Sequence, residues 1–216
     1  MTRSSTLAAV VAGLLTVGTA HAAFITSDTQ PPTRSTLSVP AGNDFTSQLA
    51  GGGLSNFFVS SSLALEQAGT VNAQYFGKEA VFQNQFRWAG TTVLQTSTNR
   101  TDSWSTTGTS VSRSAGAGVL DFSFCSVSPA RCLTNRENDA MNGSSMMNIG
   151  MFITQDRNTA WLLWDDGGSA GDDNDYDDMI VRLTYARPAQ VPEPATLGLL
   201  GLGLLGAGMV ARRRAR

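Results

Sequence analysis

The sequence WLLWDDGGSAGDDNDYDDMIVRLTY, from Trp161 to Tyr185, contains two apolar runs separated by an acidic, glycine-rich segment. The first run ends at Asp165 and the second begins at Met179. Both runs are of strand length and are rich in aromatic and aliphatic residues, which is typical of β-strands bounded by turn residues. They predict two strands joined by an acidic loop.

Similar runs fill the chain between residues 23 and 187, and Gly, Asn and Ser residues separate them. Several alternate apolar and polar residues; for example, Phe122 and Phe124 can face away from Asp121 and Ser123. This pattern predicts an all-β fold, an antiparallel β-sandwich or jelly-roll-like domain over residues 23–187. The runs are NFFVSSSLAL, TVNAQYFG, AVFQNQFRWAG, TTVLQTST, GVLDFSFC, MMNIGMFIT, TAWLLWDD and DMIVRLTYA. The polar segment 99–114 is predicted to be a loop or an exposed hairpin.

Seven aspartates lie within the acidic segment, and no lysine or arginine separates them. Because like charges repel one another, folding them together at neutral pH costs stability unless a cation is bound. Carboxylate oxygens on a glycine-rich loop suit calcium, whereas magnesium prefers fewer protein carboxylates. The alternative is a solvated acidic turn whose side chains accept hydrogen bonds from backbone amides. The predicted calcium ligands are Asp165, Asp166, Asp172, Asp173, Asp175, Asp177 and Asp178.

The segment from Asp173 to Asp177 has the acidic spacing that opens an EF-hand calcium loop. Asp178, however, occupies the position that requires glycine, and Thr184 occupies the position of the bidentate glutamate. The run that follows is predicted to be a strand rather than a helix. An EF-hand is therefore excluded, and a different acidic-loop calcium site remains the hypothesis.

Cys125 and Cys132 are the two cysteines of the chain. An even number of cysteines in an exported domain favours a disulfide between them. Pro129 and the small residues around it suit a tight loop that such a bond would clamp. Zinc binding is the weaker alternative, since no second cysteine pair and no histidine remains in the domain to complete a site.

The N-terminus has the three-part layout of a secretory signal peptide over residues 1–22. Arg3 precedes an apolar run over residues 7–17, and the small residues Ala20 and Ala22 predict cleavage after Ala22. The apolar run is too short for a comfortable membrane span, which favours removal over anchoring. The domain is therefore expected to work outside the cytoplasm.

The C-terminus combines a short motif, an apolar segment and an arginine cluster. The motif consists of Val191, Pro192, Glu193 and Pro194. It closes an extended linker over residues 188–194, and residues 195–211 are predicted to form a transmembrane helix at the short limit of length. Arginines in residues 212–216 predict that this tail stays cytoplasmic.

This arrangement closely resembles the PEP-CTERM sorting signal of Gram-negative bacteria. The resemblance implies processing near the motif by exosortase, a membrane enzyme. It also implies anchoring at the inner membrane facing the periplasm before processing, and release to the cell surface or extracellular matrix afterwards.

The acidic segment carries a second resemblance. A strand that ends in W-x-D-D, a glycine-rich loop and then D-N-D-Y-D-D-M-I-V resemble the closing segment of a secreted bacterial domain family of unknown function. Residues 76–80, FGKEA, followed by Asn84 and Phe86, resemble an earlier segment of the same proteins. The resemblance implies a β-sandwich without an established catalytic activity.

Composition narrows the function classes. Residues 23–190 contain 16 acidic and 10 basic residues, which argues against a nucleic-acid partner. The single histidine, His21, lies in the predicted signal peptide, so the domain has no histidine for triad or metal chemistry. We therefore expect that the protein is not an enzyme. A hydrolase that uses two carboxylates stays open as the least favoured alternative.

Two function classes remain. The first is a surface or extracellular-matrix structural protein, associated with exopolysaccharide and stabilised by calcium. The second is a module that binds glycans or other ligands through exposed tryptophans. Trp104 is the favoured platform because it lies in a polar stretch, whereas Trp161 and Trp164 are expected in the core; Trp88 is a further candidate.

Overall fold

The computed structural model describes residues 24–27, 35–59, 61–138, 147–167, 174–188 and 196–214. Within these ranges the chain forms strands β1 (Phe24–Ser27), β2 (Ser35–Ser38), β3 (Asn56–Val59), β4 (Ser62–Leu65), β5 (Gly69–Glu79), β6 (Asn84–Trp88), β7 (Thr91–Gln95), β8 (Thr101–Asp102), β9 (Ser110–Ala115), β10 (Gly118–Val119), β11 (Phe122–Ser126), β12 (Arg131–Thr134), β13 (Asn148–Ile153), β14 (Thr159–Asp165) and β15 (Met179–Ala186). It also forms helices α1 (Thr46–Gly51), α2 (Asn135–Asn138) and α3 (Thr196–Arg214).

The strands pair antiparallel in three sheets. The largest has the order β2-β3-β13-β14-β15-β5-β8, and β9 also pairs with β5. The second has the order β12-β11-β6-β7, and the third has the order β1-β4-β10. This arrangement is sandwich-like and confirms the prediction of an antiparallel, mostly β fold.

The main core lies between the large sheet and the two smaller sheets. Phe124 of β11 stacks on Trp164 of β14, with ring centroids 5.3 Å apart. Each large apolar side chain buried in this way contributes about 1.5–3 kcal/mol relative to its exposed state. The largest fully buried members of this core are Trp164, Phe24, Phe86, Phe122, Phe124, Leu63 and Leu65.

A second core covers the other face of the large sheet. Leu162 and Trp164 of β14 belong to the main core, whereas Trp161 and Leu163 belong to the second. Leu49 of α1 packs there too. Strand β14 is thus buried on both faces, which explains why its sequence is a continuous apolar run rather than an alternating one.

The predicted disulfide is present. Cys125 of β11 and Cys132 of β12 are direct cross-strand partners, and their sulfur atoms are bonded. The bond closes the hairpin that joins these two strands.

The two predicted membrane-directed segments have different outcomes. The signal peptide of residues 1–22 and the motif of residues 191–194 lie outside the described residues. The apolar segment that follows the motif does form a helix, α3, but its last turn is Arg212–Arg214. Among the described residues, no helix is long and apolar enough to cross a membrane. The transmembrane helix predicted over residues 195–211 is therefore not supported.

Candidate metal centre

The acidic segment joins the ends of two neighbouring strands. Trp164 pairs with Met179 at the end of the β14–β15 ladder, so residues on both sides of the loop meet there. Asp172 and Asp173 lie outside the described residues. The remaining five predicted ligands separate into two groups, each with a residue from another strand.

The first group, the Glu79 group, consists of Glu79, Asp175 and Asp177. One carboxylate oxygen from each residue lies within 4.8 Å of the other two. Asp175 and Asp177 are buried, and the Glu79 side chain is 20% exposed. Glu79 is the last residue of β5, and its amide donates to the Asp177 carbonyl at 2.9 Å. This hydrogen bond extends the pairing of β5 with β15 into the acidic loop.

Tyr176 fixes the direction of the two aspartates beside it. Its side chain is buried, and its ring lies 4.7 Å from the ring of Phe57, centroid to centroid. The backbone of Tyr176 is left-handed, with φ of 64°. A bulky residue adopts this conformation only when its surroundings hold it there. The packing of the tyrosine ring in the second core thus holds the loop in the form that brings Asp175 and Asp177 to Glu79.

A turn before α1 packs against the same loop. The Asn43 side-chain amide donates to the Asp175 carbonyl at 2.9 Å, and the Asp44 amide donates to Asp177 Oδ2 at 2.6 Å. A Cβ atom on Gly42 would lie 3.6 Å from the Asp175 Cβ. The Glu79 group therefore lies where the turn, strand β5 and the acidic loop meet.

Burial and like charge act together on Asp177. The pKa of Asp177 is raised to about 8, chiefly by burial; the hydrogen bond from the Asp44 amide opposes the rise, and Asp175 and the negative charge of Asp44 add to it. Arg100 forms an ion pair with the group, and its Nε lies 2.7 Å from Glu79 Oε1. The Arg100 side chain is 72% exposed, and such exposed pairs contribute little.

The second group, the Asp166 group, consists of Asp165, Asp166 and Asp178 with Asn84 of β6. The Asn84 side-chain amide donates to Asp166 Oδ2 at 2.9 Å and to the Asp178 carbonyl at 3.0 Å. The Asp166 amide donates to Asp178 Oδ2 at 2.7 Å. The Gly167 amide donates to Asp165 Oδ1 at 3.0 Å. Backbone amides therefore donate hydrogen bonds to the carboxylates of this group. This is what the alternative interpretation, a solvated acidic turn, predicts.

Lys78 supplies positive charge beside the Asp166 group. It is fully buried, and its Nζ donates to the Phe82 carbonyl at 3.1 Å. Burial lowers the pKa of Lys78, while the charges of Asp102, Asp178, Asp166 and, more weakly, Glu79 favour its charged form. Burial, together with the charge of Asp166, raises the pKa of Asp178 to about 10.

Sequence reasoning found the acidic loop but missed the residues from other strands. Glu79, Lys78 and Asn84 were not predicted as site residues, although they lie in the segment that carried the second resemblance. Only the pairing of β5 with β15 brings Glu79 to Asp177. The prediction that all seven aspartates hold calcium is untested, and the described ones do not form a single group.

The tryptophans do not form an open platform. Trp88, Trp161 and Trp164 are buried. Trp104 is half-buried, stacks on Trp161 with centroids 5.8 Å apart and packs against Phe76. Trp104 is thus the most exposed of the four tryptophans, as expected, but one face of its ring covers the second core.

Comparison with known proteins identifies the C-terminal tail. Residues 190–214 match the PEP-CTERM protein-sorting motif. No curated protein and no solved structure matches the chain. The tail marks the chain as an exported protein that an exosortase sorts, which confirms the predicted sorting signal.

Proposed function

We propose that this protein is a structural component of the cell surface or extracellular matrix, associated with exopolysaccharide, whose acidic end calcium stabilises. The observation that carries the proposal is the Glu79 group, in which three carboxylates from two distant segments lie together and two are buried. The Glu79 group lies where β5, the acidic loop and the turn before α1 meet. A cation bound among them would stabilise the fold.

The charges explain why calcium is the favoured cation. Two carboxylates about 4 Å apart repel by about 4 kcal/mol at the effective dielectric constant of a protein surface. Calcium accepts several carboxylates in a flexible geometry, whereas magnesium demands a near-ideal octahedron and keeps its waters. Exported proteins also meet calcium outside the cytoplasm, where cytosolic buffering does not act.

The sorting tail supports a surface location. We propose that exosortase cuts the chain near residues 192–194 after export, when the tail has brought it to the inner membrane. The domain is then released to the surface. The acidic body and the lack of histidine in residues 23–216 favour a structural role over an enzymatic one.

Thermal unfolding of the full-length protein tests the calcium proposal. At a calcium concentration about a hundredfold above the Kd, one bound ion stabilises the folded state by about 2.7 kcal/mol. For a domain of this size, we therefore expect the Tm to rise by about 5–10 °C relative to chelator. Sodium chloride of equal ionic strength is the control, since screening alone acts without a specific ion. An unchanged Tm in calcium would refute the proposal.

A further inference from the structure

We infer that the calcium ion binds in the Glu79 group, between Glu79, Asp175 and Asp177, and not in the Asp166 group. The inference rests on the proposed calcium stabilisation and assigns its site. It includes a glutamate about a hundred residues before the acidic loop and uses only two of the seven aspartates that the loop sequence suggests.

The first argument is the spacing of the oxygens. Calcium binds its oxygen ligands at about 2.3–2.6 Å, so two oxygens on one ion are at most about 5.2 Å apart. The three carboxylate oxygens of the Glu79 group lie within 4.8 Å of one another. They can therefore share one ion without a rearrangement of the backbone. Water and loop carbonyls would supply the remaining ligands.

The second argument is an acceptor that the protein does not satisfy. Asp177 is fully buried, and its Oδ2 accepts from the Asp44 amide. Its Oδ1 is also buried and has no hydrogen-bond partner among the described residues. A buried carboxylate oxygen without a donor is unfavourable, and buried charges are normally paired or bound to metals. A cation in the Glu79 group would satisfy this oxygen.

The third argument is the different charge balance of the two groups. In the Asp166 group, Asn84 and two backbone amides donate to the carboxylates, and the buried Lys78 lies close enough for Asp178 and Asp166 to act on its charge. In the Glu79 group, the exposed Arg100 contacts Glu79, and the charge of Lys78 acts on Glu79 more weakly than on Asp178 and Asp166. Calcium binding requires all three carboxylates to be ionised, and Asp175 and Asp177 then add two negative charges beside the Arg100–Glu79 pair. A divalent cation balances them.

The position of the site gives the ion a structural effect. The three ligands come from the end of β5 and from the loop before β15, and the Asp44 amide of the turn before α1 binds one of them. The ion would hold together segments that are about a hundred residues apart in the chain. It would thus stabilise the end of the sandwich rather than a local loop.

Calcium titration of the full-length protein and three variants, by isothermal calorimetry, tests the inference. Glu79→Gln removes one ligand charge at a partly exposed side chain and keeps its shape. Glu66→Gln is the matched control, because Glu66 also pairs with an arginine, Arg157, on the surface. Asp178→Asn changes the Asp166 group while keeping an oxygen for the Asp166 amide. Near-ultraviolet circular dichroism verifies that each variant is folded.

We expect Glu79→Gln to weaken calcium binding by at least about tenfold, and Glu66→Gln and Asp178→Asn to leave it within about twofold. Loss of binding in Asp178→Asn with retention in Glu79→Gln would overturn the site while calcium stabilisation stands. Absence of binding to the unaltered protein would overturn both the site and the proposed stabilisation.

Discussion

Asp177 is the residue of the Glu79 group whose burial and hydrogen bonding argue most directly for a bound cation. It is buried, one of its oxygens accepts from the Asp44 amide, and the other lacks a donor among the described residues. Tyr176 beside it enters the second core, so the aspartate cannot turn to solvent without losing that packing. The residue is therefore held where its ionised form is costly and where a cation would stabilise it.

The raised pKa of Asp177 predicts how stability depends on pH without calcium. In the unfolded chain the side chain titrates near pH 3.9, and in the folded chain near pH 8. Between these values the unfolded chain loses the proton first, so the stability of the calcium-free protein falls as the pH rises. The fall is at most about 1.4 kcal/mol per pH unit for this group. Below about pH 4 the Asp177 side chain is protonated in both the folded and the unfolded chain, so it no longer affects the free energy of unfolding.

The substitution Asp177→Asn removes this titration. The other charged groups that act on the site remain, namely Asp44, Asp175, Asp178, Glu79, Lys78 and Arg100. In chelator, we expect the variant to lose less stability than the unaltered protein between pH 5 and pH 8, as measured by Tm at each pH. Calcium should no longer stabilise it. An identical pH profile for both proteins would count against the buried, protonated state of Asp177.

At the scale of elements, the sequence predicts the strands that bury apolar side chains, but not the exposed strand or the short helix. The two apolar runs beside the acidic segment became β14 and β15 because each buries its side chains. Strand β9 lies in the segment predicted to be a loop or an exposed hairpin. Its side chains are exposed or half-buried, and a strand without a buried face has no apolar alternation to reveal it. Helix α1, with six residues, is too short to show a helical period.

The composition of the site could be predicted only in part for a related reason. The acidic loop is visible in the sequence because its charges are contiguous. Glu79 is not, because its place beside Asp177 depends on the register of β5 against β15, with a shift near Ile180. Register is fixed by the packing of both strands and by the turns that join them, which composition does not encode.

The β11–β12 hairpin gives a test at this scale. The Cys125–Cys132 bond closes a loop of a few residues, and chain entropy then predicts a contribution of about 2.5 kcal/mol. We expect the double variant Cys125→Ser, Cys132→Ser to lower the Tm by about 5–10 °C in chelator. Reduction of the unaltered protein should give the same loss. A double variant as stable as the unaltered protein would show that the hairpin does not need the bond.

For the whole molecule, the domain and the tail have separate roles. The domain is a sandwich with a second core on the outer face of its large sheet, and its acidic end carries the candidate metal centre. The tail, residues 190–214, carries the sorting motif. Under the proposed function, export would bring the acidic end into contact with calcium outside the cytoplasm, so the sorting tail and the proposed calcium site would serve the same role.

Processing of the tail can be measured on the released protein. If exosortase cuts near residues 192–194, the intact mass of protein recovered from the cell surface should lack residues 195–216. The substitution Glu193→Ala should leave the tail attached, and Glu66→Ala should not. A surface protein whose mass includes the Arg212–Arg214 cluster would contradict cleavage at the motif.

The location of a bound ion tests the central claim most directly. We propose to crystallise the full-length or naturally processed protein in calcium and to measure anomalous scattering at a wavelength where calcium contributes. The account predicts one peak between the carboxylates of Glu79, Asp175 and Asp177, with oxygens at about 2.3–2.6 Å. A peak among Asp165, Asp166 and Asp178 instead, or no peak at saturating calcium, would contradict it.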